Sequence, residues 1–135
     1  MARLVLTNPS ITINAVNLAD HIASVTIDTS VNEVEVTAFG DSGAKRVGGL
    51  QDNSITLSFH QDYAASSVEQ TIYPLIGTTT SIIIKPVSGT TTTTNPSYTA
   101  EVLVTGWNSV NGSVGDLASA DVTWPVNGLI TKSTA

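Results

Sequence analysis

The chain has 135 residues, of which 12% are charged and none is cysteine, and its formal net charge is −6. This length suits one domain with its own core, and the lack of cysteine excludes disulfides, thiol nucleophiles and cysteine-bound metals. Eleven acidic against five basic residues argue against binding nucleic acid by phosphate neutralisation, and no apolar run is long enough to cross a membrane.

The first half of the chain alternates apolar and polar residues, which predicts strands with one buried face. Residues 10–16 and 22–28 show this pattern and are separated by a predicted turn at 17–20. Residues 33–39 and 54–61 repeat it, each with one polar face. Between these last two strands, residues 40–53 contain four glycines with Lys45 and Arg46, and we expect a long loop.

One helix is predicted within residues 61–77, QDYAASSVEQTIYPLIG. Ser66 and Glu69 have the spacing of a capping box, while Pro74 and Gly77 predict the end of the helix. A helix of about ten residues is marginal alone in water, so it must pack on a sheet. The residues expected to pack recur at helical spacing and are Ala65, Val68, Ile72 and Ile76.

Three further strands are predicted at residues 80–85, 98–107 and 120–126, which brings the count to seven. The predicted fold class is therefore mainly β with one short α-helix: a β-sandwich or barrel flanked by the helix, in a single domain of residues 1–135. Charged residues make up about 25% of a typical soluble domain, so the low charge content here favours a subunit that buries surface in an assembly.

The sequence lacks the residue spacings that catalytic sites and metal sites require. Residues 40–46 look superficially like a phosphate loop, but the spacing fails. His21 and His60 have no close-set ligand partners, and no nucleophile-elbow sequence accompanies the many serines. We therefore expect no enzyme, no cofactor and no metal. Trp107 and Trp124 leave open a β-sandwich module that binds carbohydrate or a host surface through a tryptophan platform.

Four segments taken together resemble the major tail tube proteins of long-tailed bacteriophages, especially the small single-domain type. These segments are SVTIDTSVNEVEVTAFGDSG at 24–43, LSFHQDYAASSVEQTIYPLIG at 57–77, NPSYTAEVLV at 95–104 and GSVGDLASADVTWPVNGLITKSTA at 112–135. They are patterns of strand and turn without a chemical signature, and the resemblance covers nearly the whole chain.

The resemblance implies a virion protein, assembled in the host cytoplasm, that forms hexameric rings stacked into a hollow tube for DNA ejection. Its partners would be further copies of itself and the tail terminator, tape measure and distal tail proteins, with no membrane insertion. Tubes of contractile tails and injection systems share this fold and remain an alternative. Loops and termini would bridge successive rings, and the candidates here are the N-terminal arm 1–9, the loop 40–53 and the C-terminal tail 128–135. The loop residues expected at the interface are Gly40, Asp41, Lys45, Arg46, Gly48, Gly49 and Asp52.

DNA would pass through such a tube without specific binding. Glu33 and Glu35, together with Glu101, are the residues predicted to face the lumen and to keep it neutral to acidic. Strand alternation places Glu33 and Glu35 on a shared face without saying which side of the sheet is inside. Ring formation separates the tube hypothesis from the binding module, which should remain a monomer with exposed tryptophans.

Overall fold

Two antiparallel sheets face each other in the computed structural model, which describes residues 9–65 and 67–134. The larger sheet has the strand order β2-β1-β5-β6-β8 and the smaller has the order β3-β4-β7. The strands are β1 Ser10–Ile13, β2 Val16–Asn17, β3 Ile22–Glu35, β4 Arg46–His60, β5 Thr79–Lys85, β6 Ser97–Leu103, β7 Ser119–Pro125 and β8 Thr131–Ser133. The predicted mainly-β sandwich with one short helix is confirmed.

The core lies between the sheets and is built by strand alternation. On β4, Ile55, Leu57 and Phe59 are buried and each alternates with a half-buried polar residue. Trp124 of β7 is fully buried, and its indole N–H donates to the backbone oxygen of Gly106 at 3.0 Å. Each fully buried aliphatic or Phe side chain contributes roughly 1.5–3 kcal/mol, so the alternating faces are sufficient to hold the sheets together.

The predicted strand at residues 10–16 is wrong as a single strand. Asn14 and Ala15 have φ values of +49° and +66°, and Ile13 pairs with Val16 across them. Positive φ at both central residues is characteristic of a tight two-residue hairpin turn, which asparagine tolerates well. The chain therefore reverses between β1 and β2, and Ala15 lies in the turn instead of on the buried face.

The predicted loop at residues 40–53 is also wrong. β3 and β4 pair from Ile22 opposite Phe59 to Glu35 opposite Arg46, whereas β7 pairs with β4 only over Ser54–His60. Residues 29–35 and 46–53 therefore form a two-stranded ribbon beyond the third strand, joined by a tip at 36–45; we refer to residues 29–53 as the hairpin ribbon. The predicted strand at 33–39 accordingly ends at Glu35.

The helix is shorter than predicted. α1 spans Val68–Ile72 and continues as a 3-10 turn over Tyr73–Leu75, with Ser67 as its N-cap residue. Ser66, the predicted cap, lies outside the described residues. Val68 and Ile72 are buried in the core, whereas Ala65 and Ile76 are exposed because they lie before and after the helical turns. Gly77 has a φ of +82° and turns the chain, as predicted.

The predicted N-terminal arm and C-terminal tail lie partly outside the described residues. Of residues 1–9, only Pro9 is described. In the predicted C-terminal tail, β8 pairs with β6 through Thr131 opposite Thr99, so much of residues 128–134 belongs to the larger sheet. Within the described parts of the chain, no helix is long and apolar enough to span a membrane.

Candidate assembly surfaces

The outward side of the three-stranded sheet is covered by small polar side chains. Val25 and Ile27 of β3 point toward the core, so the intervening residues point outward, and their partners on β4 and β7 share that side. We call this surface the hydroxyl face; it comprises Ser24, Thr26, Asp28, Ser30, Asp52, Ser54, Thr56, Ser58, His60, Ser119, Asp121, Thr123 and Pro125.

Hydrogen bonds between neighbouring strands organise the hydroxyl face. Ser58 donates to the carboxylate of Asp121 at 2.6 Å, and the Thr56 and Thr123 hydroxyls lie 3.1 Å apart. Three carboxylates lie on the face, and among the described residues it carries neither lysine nor arginine. The surface is thus hydrated, weakly acidic and without a cation that could hold a phosphate.

The three glutamates predicted for the lumen do not share a surface. Glu33 and Glu35 lie on the opposite side of β3 from Asp28, because β3 alternates without interruption between Ser24 and Glu35. Glu101 is exposed on β6, in the other sheet. Sequence reasoning missed the aspartates of the hydroxyl face, although Asp28 and Asp121 each follow the Ser/Thr alternation of their strands.

The tip of the hairpin ribbon is held by its own hydrogen bonds. The backbone N–H of Lys45 donates to the Thr37 hydroxyl at 2.9 Å, and the Ala38 N–H donates to the Asp41 carboxylate at 2.8 Å. The Lys45 ammonium lies 3.0 Å from the other Asp41 oxygen. The Ala38 N–H and then Lys45 lower the pKa of Asp41. Gly40 makes the turn possible with a φ of +93°.

Glycines also determine how closely the two paired strands of the hairpin ribbon approach each other. The pairing shifts register between Val31 and Glu33, where β4 carries one residue more than β3. A Cβ atom on Gly49 would come within 2.9 Å of a Val34 methyl, so the close approach of the strands requires glycine. Arg46 lies 3.0 Å from Glu33 as an exposed ion pair. Of the predicted interface residues, Arg46, Gly48, Gly49 and Asp52 thus lie in paired strands, and Asp41 and Lys45 fasten the tip.

The hairpin ribbon exposes more apolar surface than a free monomer needs. Phe39 at the tip is fully exposed and Leu50 is 82% exposed. Val31, Val34, Val36 and Val47 are each about half exposed on the same ribbon. A two-stranded ribbon is only marginally stable alone in water, and contiguous exposed apolar patches mark interaction sites. The ribbon is therefore suited to being covered by another chain.

Both tryptophan side chains pack and donate hydrogen bonds within the chain and do not form an exposed platform, so the predicted sugar-binding platform is wrong. Trp124 is buried, and Trp107 packs edge-on against Phe59 with ring centres 5.2 Å apart. The Trp107 N–H donates to the Glu69 carboxylate at 2.6 Å, and the Gln61 amide donates to the same oxygen at 3.3 Å. We call Gln61, Glu69 and Trp107 the Glu69 cluster; it fastens the segment after β6 to α1.

The His21 imidazole lies between two carboxylates. Its Nε2 lies 2.8 Å from Asp62 and its Nδ1 lies 3.0 Å from Asp20. The backbone N–H of Ala64 is the main cause that lowers the pKa of Asp62. In the described residues, no group of three or more His, Cys, Asp or Glu side chains is arranged to hold a metal ion.

No protein-family profile and no curated protein sequence matches this chain. Solved structures do match. A chain in the virion of a native gene transfer agent (GTA) particle aligns with a TM-score of 0.71 at 15% identity, covering 93% of this chain and 95% of that one. A chain in the tail of an empty GTA particle with C6 symmetry aligns with a TM-score of 0.64 at 18% identity, covering 85% of this chain and 83% of that one. The chain therefore has the fold of components of a virion and its tail.

Proposed function

We propose that this chain is the tube-forming subunit of a phage-like tail, with six copies in each ring and rings stacked into a conduit for DNA. The observation that carries the proposal is the fold shared with a chain of a tail that has C6 symmetry, over 85% of this sequence. The exposed apolar ribbon and the low charge content support self-association. A structural role without catalysis, in a virion assembled in the host cytoplasm, follows from this proposal.

The edges of the three-stranded sheet supply a means of closing the ring. β3 is an edge strand of 14 residues, and β7 forms the other edge. Long edges that are left open invite pairing with another chain, and closure into a barrel removes them. In the ring, the sheet of each copy joins that of the next, and the rings in turn contact the tail terminator, tape measure and distal tail proteins.

The hydroxyl face is the surface that we assign to the lumen, in place of Glu33, Glu35 and Glu101. Duplex DNA carries one negative charge per ~1.7 Å, and each lysine or arginine that meets a phosphate adds salt-sensitive affinity. Asp28, Asp52 and Asp121 repeat around the ring and repel phosphates within about 10 Å at moderate salt. The hydroxyls between them hold water, so the wall lets the duplex slide.

Two measurements test the proposal. Electron microscopy of concentrated protein should show rings with six subunits and tubes made of such rings. In assembled tubes, Asp28→Lys should make the conduit retain short duplex DNA at low salt and release it at high salt. Glu35→Lys is the matched control, because it reverses one exposed charge on the same strand but on the opposite face. A protein that remains monomeric, alone and with tail-initiation proteins, would refute the tube. Retention by Glu35→Lys alone would refute the assignment of the lumen.

A further inference from the structure

An apolar groove opens between β3 and the larger sheet. A cavity of about 170 Å³ there is lined by Val25, Ile27, Ile84, Pro86, Tyr98 and Lys85. A second, more polar cavity shares Ile27 and Tyr98 with the first, extends toward Lys132 and is also lined by Thr29 and Gln51 of the same copy. We refer to the two together as the Tyr98 groove. An apolar cavity of about 150 Å³ is enough to hold one benzene ring, so the first cavity has the size of a single aromatic side chain.

The charge around the Tyr98 groove is positive. Lys85 and Lys132 line it, and no acidic residue does so in the part of the chain that the structure describes. The hairpin ribbon has the opposite charge. Residues 29–53 contain four carboxylates against Lys45 and Arg46, which already lie beside Asp41 and Glu33. Glu35 lies outside these two ion pairs, on the side of β3 away from the hydroxyl face. The groove and the ribbon are therefore electrostatically complementary.

We propose that the Phe39 ring of one copy inserts into the Tyr98 groove of the neighbouring copy, which places the acidic ribbon beside Lys85 and Lys132. This inference rests on the proposed assembly into rings and names the contact that drives it. Phe39 is fully exposed at the tip of a turn whose backbone is held by hydrogen bonds, so insertion of its ring fixes a side chain without ordering a loop. An aromatic anchor that fills a pocket is the usual centre of an interface. A contact between two different patches of the same chain generates a closed ring when the rotation from copy to copy closes, as it does with six copies.

The N-terminal segment of the chain is the competing occupant, because Pro9 also lines the first cavity. Residues 1–8, MARLVLTN, are apolar enough to enter it. However, they carry Arg3 and no acidic residue, so their charge would oppose Lys85 and Lys132. The ribbon satisfies both the size and the charge of the groove, whereas residues 1–8 satisfy only its apolar character.

Disulfide trapping tests the contact, since the chain has no cysteine of its own. Phe39→Cys and Pro86→Cys proteins are prepared separately, mixed, assembled at a protein concentration high enough to offset the loss of the Phe39 ring, and mildly oxidised. We expect covalent dimers that form only in assembled material. Phe39→Cys mixed with Ser81→Cys is the control, because Ser81 is exposed on β5 outside the groove. Dimers from Leu4→Cys mixed with Pro86→Cys, without dimers from the Phe39 pair, would assign the groove to residues 1–8 and overturn the proposal.

Truncation of the anchor gives an independent measurement. Phe39→Ala should raise the protein concentration needed for ring formation by about 30-fold or more, as expected for an interface anchor. The melting temperature of the monomer should not change, because Phe39 is fully exposed there. Absence of dimers from the assembled Phe39→Cys and Pro86→Cys mixture, together with normal assembly of the wild-type protein and of Phe39→Ala, would refute this contact and leave the tube function standing. Failure of the wild-type protein to form rings would refute both.

Discussion

Removing the Glu69 carboxylate should destabilise the fold more than its place on a five-residue helix suggests. Glu69 accepts hydrogen bonds from the Trp107 indole at 2.6 Å and from the Gln61 amide at 3.3 Å. Gln61 in turn donates to the backbone oxygens of Asn108 and Ser109. Glu69→Ala therefore leaves the half-buried indole N–H without its partner and loosens the segment that follows β6.

The magnitude follows from the charged acceptor. A hydrogen bond to a charged group contributes about 1.5–3 kcal/mol, against about 1 kcal/mol for an ordinary helix cap. Unfolding entropy is about 2.1 cal/mol/K per residue, so a chain of 135 residues has roughly 0.28 kcal/mol/K. The expected fall in melting temperature for Glu69→Ala is therefore about 5–11 °C.

A double-mutant cycle with Trp107→Phe isolates the bond: phenylalanine keeps an aromatic ring against Phe59 but loses the N–H donor and part of the ring, and the cycle subtracts the packing loss. Thermal melts of both single variants and the double variant should give a coupling free energy above 1 kcal/mol. Gln70→Ala is the control, since Gln70 is exposed on the same helix. Additive effects of Glu69→Ala and Trp107→Phe would show that the bond does not stabilise the fold.

Three further predictions concern the helix and the hairpin ribbon. Ile72→Asp should cost about 4 kcal/mol or more in a thermal melt, because it buries an unpaired charge, whereas Gln70→Asp on the exposed face should cost little. Gly49→Ala should cost about 1–3 kcal/mol by overpacking the ribbon, while Gly43→Ala, with open space around it, should be neutral; equal melts would contradict the bulge. The lowered pKa of Asp41 implies a stabilisation of the tip that is complete above the unfolded value of about 3.9 and is lost as the pH falls through the native pKa. An NMR titration of the Ala38 amide should show this loss, and Asp41→Asn should abolish it.

The sequence predicts those parts of the fold that have one buried face. β5 and β7 lie within one residue of their predicted starts and ends, and the alternation that predicts residues 54–61 describes the buried half of β4. Alternation works there because the sandwich core selects apolar residues at every second position. The helix was predicted too long because Ala65 and Ile76 continue the helical spacing by chance, and spacing alone does not report where the hydrogen bonds end.

The hairpin ribbon could not be predicted in the same way. Its strands extend past the core, so residues 46–52 are exposed within the monomer and no alternation marks them. Two glycines and a polar run there are typical of a loop. The close approach of β3 instead accounts for Gly49, where a Cβ atom would lie 2.9 Å from a Val34 methyl and 3.1 Å from the Asn32 backbone oxygen. In the proposed assembly, another copy covers this ribbon. The sequence of the ribbon then fits a contact that one chain alone does not contain.

The distribution of charge carries more functional information than the net charge of −6. A net negative charge alone argues only against tight binding of DNA through its phosphates. In the structure, three aspartates lie on the hydroxyl face, while Lys45 and Arg46 lie beside carboxylates of the hairpin ribbon and Lys85 and Lys132 line the Tyr98 groove. Each described lysine and arginine therefore lies either beside a carboxylate of the ribbon or at the groove, and none lies on the hydroxyl face. This separation fits the proposed tube subunit, because lysine and arginine side chains on the lumen wall would hold phosphates and slow the DNA.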